Sequence, residues 1–279
     1  MLVGVDGLRL DVLDLRRLPA LGRMLDGACT AMTMPAPTIS GPGWSTLLTG
    51  ATHAEHGVVD NRFIGHRLAL HPDLLTRAWL ADPSRTTFAA AAWPPLVDPV
   101  GVGPVIRTRE DSPLARPPRR FASRRNRRAW AQRRVEQHRV VVRDGETYGY
   151  RTTDAEVVAA AVLAVAAAGP DVSFVYWSSV DEAGHLHGAR SREYQEAAER
   201  VDAHLDRLLA AVDWRHAAGE RWLVALTTDH GHLDAGGHGG DEPEVAASFV
   251  ARVGLGVEPE PWPAAIAPEE LTPRLLAAL

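Results

Sequence analysis

The sequence predicts an α/β protein with a mostly parallel central sheet flanked by helices. Short apolar segments typical of buried strands alternate with helical segments, which is the pattern of a sheet covered on both faces. Polar residues follow several of these strands directly, where open α/β sheets place their sites. The chain has 279 residues and is 46% hydrophobic, which suffices for one large domain over 1–279, with or without an insertion.

The N-terminal part begins with a predicted buried strand, Leu2–Val5, that ends at Asp6. Three further elements are predicted before residue 82: a helix over Leu18–Leu25, a strand over Met32–Pro35, and a helix over Gly41–Leu48 with Ser40 at its N-terminus. The alternation weakens over 82–144, where Pro and Gly recur and an Arg-rich run extends from Arg116 to Arg139. We interpret 82–144 as an insertion or cap on the core.

Regular alternation resumes after this region. Thr153 to Glu156 has the sequence of a capping box and predicts the start of a helix that ends at Gly169. The elements predicted beyond it are a strand over Val172–Trp177, a helix over Ser191–Val212, a strand around Leu223, a strand over Ser248–Val253 and a short helix from Pro268. This half therefore completes the predicted sheet.

Composition excludes several classes of protein. The formal net charge is −5, so no global positive field favours nucleic acid. All 30 basic residues are arginine, which excludes lysine-based chemistry. The single cysteine, Cys29, excludes an internal disulfide and a thiolate zinc cluster, and we expect it to be buried. No apolar run approaches the ~20 residues of a membrane span, and no signal peptide is recognisable, so we expect a cytoplasmic protein without a membrane partner.

In the segment from Thr227 to Gly240, the Asp229 carboxylate and three imidazoles lie within ten residues of one another. Asp229 and His230 follow a predicted strand, and His238 follows two glycines that let the chain turn back. Small residues between them allow a loop to close around an ion, so the segment predicts a metal centre. The role of His232 is left open by the spacing.

A second group lies after the strand Val172–Trp177. Asp181 and His185 are four residues apart, so on a helical turn both side chains face the same way and can hold one metal ion. His187 faces elsewhere and is expected near the site or on the surface. A third carboxylate, Asp6, ends the first strand, although such a residue is more often a turn or cap residue.

The hydroxyl of Ser40 lies at a predicted helix N-terminus, where the backbone N–H groups and the helix dipole favour an anion. Such a serine could attack phosphorus if a metal ion activated it. The alternative is that Ser40 only caps the helix. Thr38 is the competing nucleophile.

Taken together and in this order, these motifs resemble the alkaline phosphatase superfamily, in particular its nucleotide pyrophosphatase/phosphodiesterase branch. The resemblance covers most of 1–65 and 170–255. The matching segments are Asp6–Arg9, Leu47–Gly50, His56–Asn61, Asp181 with His185, Asp229–Gly231 and His238.

The resemblance implies two divalent metal ions, usually zinc, and the histidine-rich set also fits manganese or iron. One ion would be held by Asp181, His185 and His238. The other would be held by Asp6, Asp229, His230 and the oxygen of Ser40. Counting back from Leu47–Gly50 places the family nucleophile on Ser40 rather than on Thr38. Many diesterases of this branch have threonine at this position, so the serine is a departure from the pattern.

The resemblance further implies a phosphoserine intermediate on Ser40. Asn61 falls where the branch places an asparagine against a phosphoryl oxygen, and we expect the Gly41 N–H to assist it. Trp44 is a candidate for stacking on the leaving group, and Arg9 for a cationic contact to the substrate. The predicted binding partner is a small phosphate ester or a nucleotide. The sequence does not indicate which oligomeric state the protein has.

Four other functions share part of this sequence pattern. Phosphomonoesterase and phosphonate hydrolase activity fit the same ligand set. Sulfatases share the architecture, but their modification motif needs an arginine two residues after the proline, and Pro42 is followed by Gly43 and Trp44. A non-catalytic binding role would rest on the run from Arg116 to Arg139. The sequence favours a metal-dependent phosphodiesterase.

Overall fold

The computed structural model describes residues 1–106 and 138–279. Its centre is a seven-stranded sheet. In spatial order the strands are β2 (Ala28–Thr33), β7 (Ala247–Leu255), β6 (Trp222–Thr227), β1 (Leu2–Val5), β5 (Val172–Trp177), β3 (Thr87–Ala91) and β4 (His138–Val142).

Five of the strands run parallel to one another. The β1 strand lies between β5 and β6, β3 pairs with β5 and with β4, and all four pairings are parallel. The β7 strand is antiparallel to both β6 and β2. The predicted α/β class with a mostly parallel sheet is therefore confirmed, and the carboxyl ends of β6, β1 and β5 lie side by side.

Helices cover both faces of the sheet, because alternate residues of the strands belong to two separate hydrophobic clusters. Val3 and Val5 pack into one cluster with the helix Arg192–Ala217, whereas Leu2 packs into the other with Trp44 and Leu47. The α-helices of the described ranges are Pro19–Leu25, Ser40–Thr49, His53–His56, Leu74–Ala81, Gly145–Tyr148, Tyr150–Ala168, Ser179–His187, Arg192–Ala217, Pro243–Ala246 and Leu271–Ala277.

The edge strand differs from the prediction. We expected a strand over Met32–Pro35, but β2 covers Ala28–Thr33 and pairs with β7 along its whole length. Its side chains alternate between the core and the solvent from Thr30 onward, and the apolar pattern is weak because the buried face includes Thr30 and the outer face includes Ala31. Cys29 lies on the outer side and is exposed, so its predicted burial is wrong.

Two strands lie within the range 82–144 that we interpreted as an insertion. Both β3 and β4 belong to the central sheet, so the ends of that range are part of the core. Residues 107–137, which carry the Arg-rich run up to Arg134, are outside the described residues. A cap formed by that segment stays a prediction.

The helix predicted to begin at the capping box begins earlier, at Tyr150, and the prediction of its start is wrong. The Thr153 hydroxyl donates to the Gly149 carbonyl at 3.2 Å, as expected inside a helix rather than at its cap. The predicted end at Gly169 is confirmed, with φ 56°. The long helix also forms as predicted, with Ser191 as its N-cap.

Asp154 stabilises a different helix from its own. Its carboxylate accepts hydrogen bonds from the backbone N–H groups of Ser178 (3.1 Å) and Ser179 (2.9 Å). These groups belong to the first turn of Ser179–His187, which otherwise has free donors. Because Asp154 is fully buried, desolvation raises its pKa to about 7 in spite of these bonds.

We predict that Asp154→Asn destabilises the protein by about 1 kcal/mol at pH 5, because both oxygens of the protonated carboxyl can still accept from the two N–H donors, whereas the NH2 group of an amide cannot accept. The pKa of Asp154 is raised in the folded state, so its contribution to stability is present below about pH 4 and is lost as the pH rises towards 7. The free energy of unfolding of the wild type should therefore approach that of the variant between pH 5 and pH 7.5. Urea unfolding at each pH measures both values. A difference that widens over this interval would contradict the assignment.

Candidate active site

The site lies at the carboxyl ends of the three central strands. Asp6 directly follows β1, the helix Ser179–His187 follows β5, and Asp229 and His230 follow β6. Since these strands are parallel neighbours, their ends converge at one edge of the sheet. The residues predicted as metal ligands therefore meet although up to 232 positions separate them in the sequence.

The first group of converging ligands consists of Asp6, Asp229 and His230, and we call it the nucleophile-side cluster. The Nε2 atom of His230 lies 3.3 Å from Asp6 Oδ1 and 3.4 Å from Asp229 Oδ2. The Ser40 hydroxyl lies 3.5 Å from Asp6 Oδ1 and 3.4 Å from His230 Nε2. The four groups predicted around one ion thus face one another.

Asp229 provides the observation that tests whether this cluster suits a cation. It is fully buried, and neither of its oxygens has a hydrogen-bond partner among the described residues. Desolvation, followed by the nearby charges of Asp6 and Asp181, raises its pKa well above the usual range. The backbone N–H groups of Gly7 and of Asp229 itself lie near the carboxylate and offset this rise only in part, without making hydrogen bonds of normal geometry. A buried carboxylate without partners is the arrangement expected of a metal ligand.

His230 is held ready to coordinate through Nε2. Its Nδ1 atom lies 3.0 Å from the carbonyl oxygen of Gly231, so the proton of the neutral ring resides on Nδ1. Burial, reinforced by the neighbouring histidines, lowers the pKa of His230 well below its usual value. The ring therefore stays neutral and presents a lone pair to the cluster.

The second group, which we call the helix-side cluster, contains Asp181, His185, His232 and His238. The Nε2 atoms of His185 and His238 are 3.0 Å apart, and those atoms lie 3.5 Å and 3.6 Å, respectively, from the Asp181 carboxylate. His238 Nδ1 contacts the carbonyl oxygen of Thr38 at 2.7 Å, which directs Nε2 into the cluster. The three predicted ligands of this ion thus converge.

His232, whose role the spacing left open, belongs to the same cluster. It is fully buried, and its Nε2 atom lies 2.8 Å from Asp181 Oδ1. Desolvation lowers the pKa of His232 to about 4 and raises the pKa of Asp181 to about 6. The ring fits only because Gly184 has no side chain, since a Cβ atom there would lie 2.6 Å from His232 Nε2.

The two clusters together offer carboxylate and imidazole donors in numbers that suit divalent metal ions. Three carboxylates and four imidazoles converge, and no thiolate is present among them. Such oxygen and nitrogen donors fit zinc, and also manganese or iron. The residues present therefore fit the predicted cofactor, with Asp181, His185, His232 and His238 at one position and Asp6, Asp229 and His230 at the other.

Trp44 has a role other than the predicted one. Its side chain is fully buried, so it cannot stack on a substrate, and that prediction is wrong. Instead its Nε1–H donates to Asp6 Oδ2 at 3.0 Å, and the hydroxyl of Tyr176 donates to the same oxygen. The Oδ1 atom of Asp6 is left to face Ser40 and His230. Sequence reasoning missed Tyr176 because its contact with Asp6 spans two strands.

Ser40, rather than Thr38, presents its hydroxyl to the clusters. Ser40 is the first residue of the helix Ser40–Thr49, as predicted. The Thr38 hydroxyl is occupied, because it donates to the Gly240 carbonyl at 2.8 Å and accepts from the Gly239 N–H at 3.0 Å. Thr38 therefore fixes the loop that carries His238.

Asn61 and Gly41 bind each other at the edge of the site. The Gly41 N–H donates to Asn61 Oδ1 at 2.7 Å, so this backbone donor, which we expected to face the substrate, already has an acceptor. The Nδ2 group of Asn61 remains as a donor for a ligand. A side chain at position 41 would collide with Asn61.

Arg9 does not reach the substrate site. Its guanidinium donates to Asp11 at 2.7 and 2.8 Å, to Asp234 at 2.7 Å and to the carbonyl oxygen of His232 at 2.9 Å. These bonds direct it away from Ser40 and hold the loop that begins at His232. The predicted contact between Arg9 and the substrate is therefore wrong.

His56 and His187 lie near the motifs but belong to neither cluster. His56 is buried and contacts the Val58 N–H and the Thr46 hydroxyl, so it holds the loop after the helix Ser40–Thr49. His187 is exposed at the end of the helix that carries Asp181 and His185.

Beside Ser40 the surface forms a cavity of about 370 Å³, which is at the lower end of the range for small-molecule sites. It connects the helix-side cluster with residues that follow β3 and β4. Its lining consists of Ser40, Asn61, Trp93, Glu146, Tyr150, Tyr176, Ser178, Asp181, Glu182, His185, Leu186 and His238.

Comparison with known proteins identifies the family. The family model "Type I phosphodiesterase / nucleotide pyrophosphatase" matches residues 1–245, so the chain belongs to this family. The resemblance to the nucleotide pyrophosphatase/phosphodiesterase branch of the alkaline phosphatase superfamily is confirmed, and the two clusters of the site are groups that could hold metal ions.

Solved structures share the fold at low sequence identity. Human ectonucleotide pyrophosphatase/phosphodiesterase 5 aligns with a TM-score of 0.64 and 14% identity, covering 99% of this chain and 93% of that chain. Phosphonoacetate hydrolase from Sinorhizobium meliloti 1021, in complex with phosphonoformate, aligns with a TM-score of 0.54 and 18% identity, covering 82% and 55% of the two chains. These similarities support the fold.

Among curated proteins, a segment of GPI ethanolamine phosphate transferase 1 from Yarrowia lipolytica (strain CLIB 122 / E 150) is 30% identical over 93 residues. The match covers 33% of this chain and spans only 10% of that relative's length. In the described part of the chain, no helix combines the length and the apolar character needed to cross a bilayer.

We predict that the purified protein binds about two equivalents of zinc per chain, one at each cluster. His238→Ala should lose one equivalent, and His232→Ala should weaken one site by about 10–100-fold. Metal analysis after dialysis against a graded chelator series measures both effects. His187→Ala is the matched control, because its imidazole lies on the same helix as His185 but outside the cluster. Equal metal retention by His238→Ala and by His187→Ala would refute the helix-side cluster.

We predict that Trp44→Phe preserves most of the packing but removes the donor to Asp6 Oδ2. The zinc affinity of the nucleophile-side cluster should fall by about 10–100-fold, because the orientation of Asp6 is no longer fixed. Competition with a chromophoric chelator measures this affinity, and Tyr176→Phe should act in the same direction. An unchanged affinity in both variants would show that neither donor positions Asp6.

Proposed function

We propose that this protein is a two-metal phosphodiesterase or nucleotide pyrophosphatase that acts through a phosphoserine intermediate on Ser40. The observation that carries the proposal is the position of the Ser40 hydroxyl, which lies within 3.5 Å of both Asp6 and His230. An isolated helix cap would not need a carboxylate and an imidazole at this distance. Family membership supports the same reaction class.

Zinc ions at the two clusters would neutralise the carboxylates and supply Lewis-acid activation of the hydroxyl and of the phosphoryl group. Asp6, Asp229 and His230 would hold one ion next to Ser40. Asp181, His185, His232 and His238 would hold the other. Since the pKa values of His230 and His232 are lowered by burial, both rings are neutral ligands at neutral pH.

The chain's own residues direct the bond changes. Ser40 Oγ, having lost its proton to solvent, attacks phosphorus at the N-terminus of its helix, where the dipole stabilises negative charge. A bond forms between Oγ and phosphorus, and the bond from phosphorus to the leaving oxygen breaks. Asn61 Nδ2 donates to a phosphoryl oxygen during both steps. Water then attacks phosphorus, the bond to Oγ breaks, and Ser40 is restored.

The proposed substrate is a small phosphate diester or nucleotide. The described lining of the cavity includes no arginine, whereas the greater charge of a monoester would call for additional cationic contacts. A phosphonate hydrolase is the second candidate, supported by the fold shared with phosphonoacetate hydrolase. The cytoplasmic location stays a prediction from the sequence.

We predict that Ser40→Ala abolishes turnover of bis-p-nitrophenyl phosphate, by a factor of about 10³ or more, while zinc content is preserved. Release of p-nitrophenolate measures the rate, and metal analysis provides the control. Thr38→Ser keeps a hydroxyl that can bind Gly239 and Gly240, and should retain most of the activity.

The wild-type enzyme should hydrolyse the diester faster than p-nitrophenyl phosphate, a phosphonate monoester or a sulfate ester. Full activity of Ser40→Ala would instead indicate direct attack by water. A preference for the phosphonate ester would favour the second candidate.

A further inference from the structure

One wall of the cavity is built from the segments that follow β3 and the edge strand β4. Trp93 lies two residues after β3, and Glu146 lies four residues after β4. Because β3 and β4 are parallel, their carboxyl ends reach the same edge of the sheet as the metal clusters. This wall is therefore part of the same active-site cavity, but no step of the proposed mechanism uses it.

Backbone and side-chain bonds fix this wall. The Gly145 N–H donates to the Ala92 carbonyl at 2.9 Å, and the Trp93 Nε1–H donates to Glu146 Oε1 at 3.0 Å. Trp93 is itself buried and packs against Phe63. The carboxylate of Glu146 is thus anchored through one oxygen at the mouth of the cavity, and its other oxygen remains available.

Tyr150 forms the adjacent face of the wall. It is half-buried, and its ring packs so closely on Gly145 that a side chain at 145 would collide with it. Burial, followed by the charges of Glu146 and Asp6, raises the pKa of the Tyr150 phenol far above its usual value. The ring therefore remains a neutral, electron-rich surface beside a carboxylate.

The charges that face this space are negative. Glu146 and Glu182 line it, and the described lining includes no arginine to balance them, while the chain contains no lysine at all. An aromatic face next to carboxylates attracts an organic cation through cation–π and Coulomb interactions. The same wall repels a phosphate or carboxylate group on the substrate.

We propose that this wall, formed by Trp93, Glu146, Tyr150 and Glu182, selects phosphodiesters in which one substituent carries an ammonium group. The inference rests on the proposed phosphodiesterase activity. Glu146 and Tyr150 contact the cation, Glu182 adds negative charge, and Trp93 positions Glu146. A primary amine and a quaternary ammonium share the required chemistry. The 370 Å³ cavity accommodates a short amino-alcohol substituent.

The test compares two substrates that have the same shape but differ in the charge of one substituent. p-Nitrophenyl phosphorylcholine and p-nitrophenyl 3,3-dimethylbutyl phosphate differ only in having nitrogen or carbon at the branch point. The zinc-loaded enzyme should show a kcat/KM about tenfold higher for the cationic ester. p-Nitrophenyl phosphorylethanolamine distinguishes a primary amine from a quaternary one, and the p-nitrophenyl ester of thymidine 5′-phosphate represents a nucleotide.

Glu146→Gln should reduce the ratio of kcat/KM for the cationic ester to kcat/KM for the neutral ester by about threefold or more. Glu258→Gln is the matched control, because it changes the net charge equally but lies in another cavity, with Met1 and Trp222. A general structural defect in Glu146→Gln would lower the rates on both esters together.

Two outcomes overturn the inference while the proposed function stands: equal kcat/KM for the charged and neutral esters, or a higher kcat/KM for the thymidine ester. Calorimetric titration with phosphorylcholine and with 3,3-dimethylbutyl phosphate tests the wall without turnover. Tighter binding of phosphorylcholine, lost in Glu146→Gln, would support the inference even if no ester were hydrolysed. In that case the proposed phosphodiesterase activity alone would fail.

Discussion

Three carboxylates buried in one small volume are the constraint on which the rest of this structure depends. Asp6, Asp181 and Asp229 all have raised pKa values, because each is removed from water and Asp6 and Asp229 also lie near another carboxylate. Burying such charges without compensation is strongly unfavourable. Divalent cations between them would supply the missing charge, and four neutral imidazoles complete the coordination. The arrangement of these side chains therefore fits divalent metal ions whether or not a substrate is bound.

The surrounding fold serves this arrangement. Parallel strands bring the three carboxylates to one edge, and glycines at 7, 43 and 184 leave room for the ligands, since a Cβ atom at any of them would approach Asp181, Asp229 or His232 within about 3 Å. Donors from Trp44 and Tyr176 orient Asp6, and Asp154 caps the helix that carries Asp181. The orientations of Asp6 and of the helix that carries Asp181 are thus set by residues outside the two clusters.

The sheet and the side chains that converge at its edge could be predicted, the sheet from local patterns and the side chains from local spacing together with the resemblance to a known family. Asp181 and His185 share a helical face, and Asp229 follows a strand whose apolar pattern is plain. The roles of residues that act through contacts between distant segments could not be predicted from the sequence. The hydrogen bond from Trp44 to Asp6 joins a helix to a strand, and His232 reaches Asp181 across 51 positions. Asp154 was interpreted as part of a capping box because its true partners, Ser178 and Ser179, lie 24 and 25 residues away.

The most direct measurement of the central claim is a crystal structure of the zinc-loaded protein with diffraction data collected at the zinc absorption edge. The account predicts two anomalous peaks, one among Asp6, Asp229 and His230 and one among Asp181, His185, His232 and His238. Anomalous maps with no peak at either group, from crystals grown in saturating zinc, would contradict it.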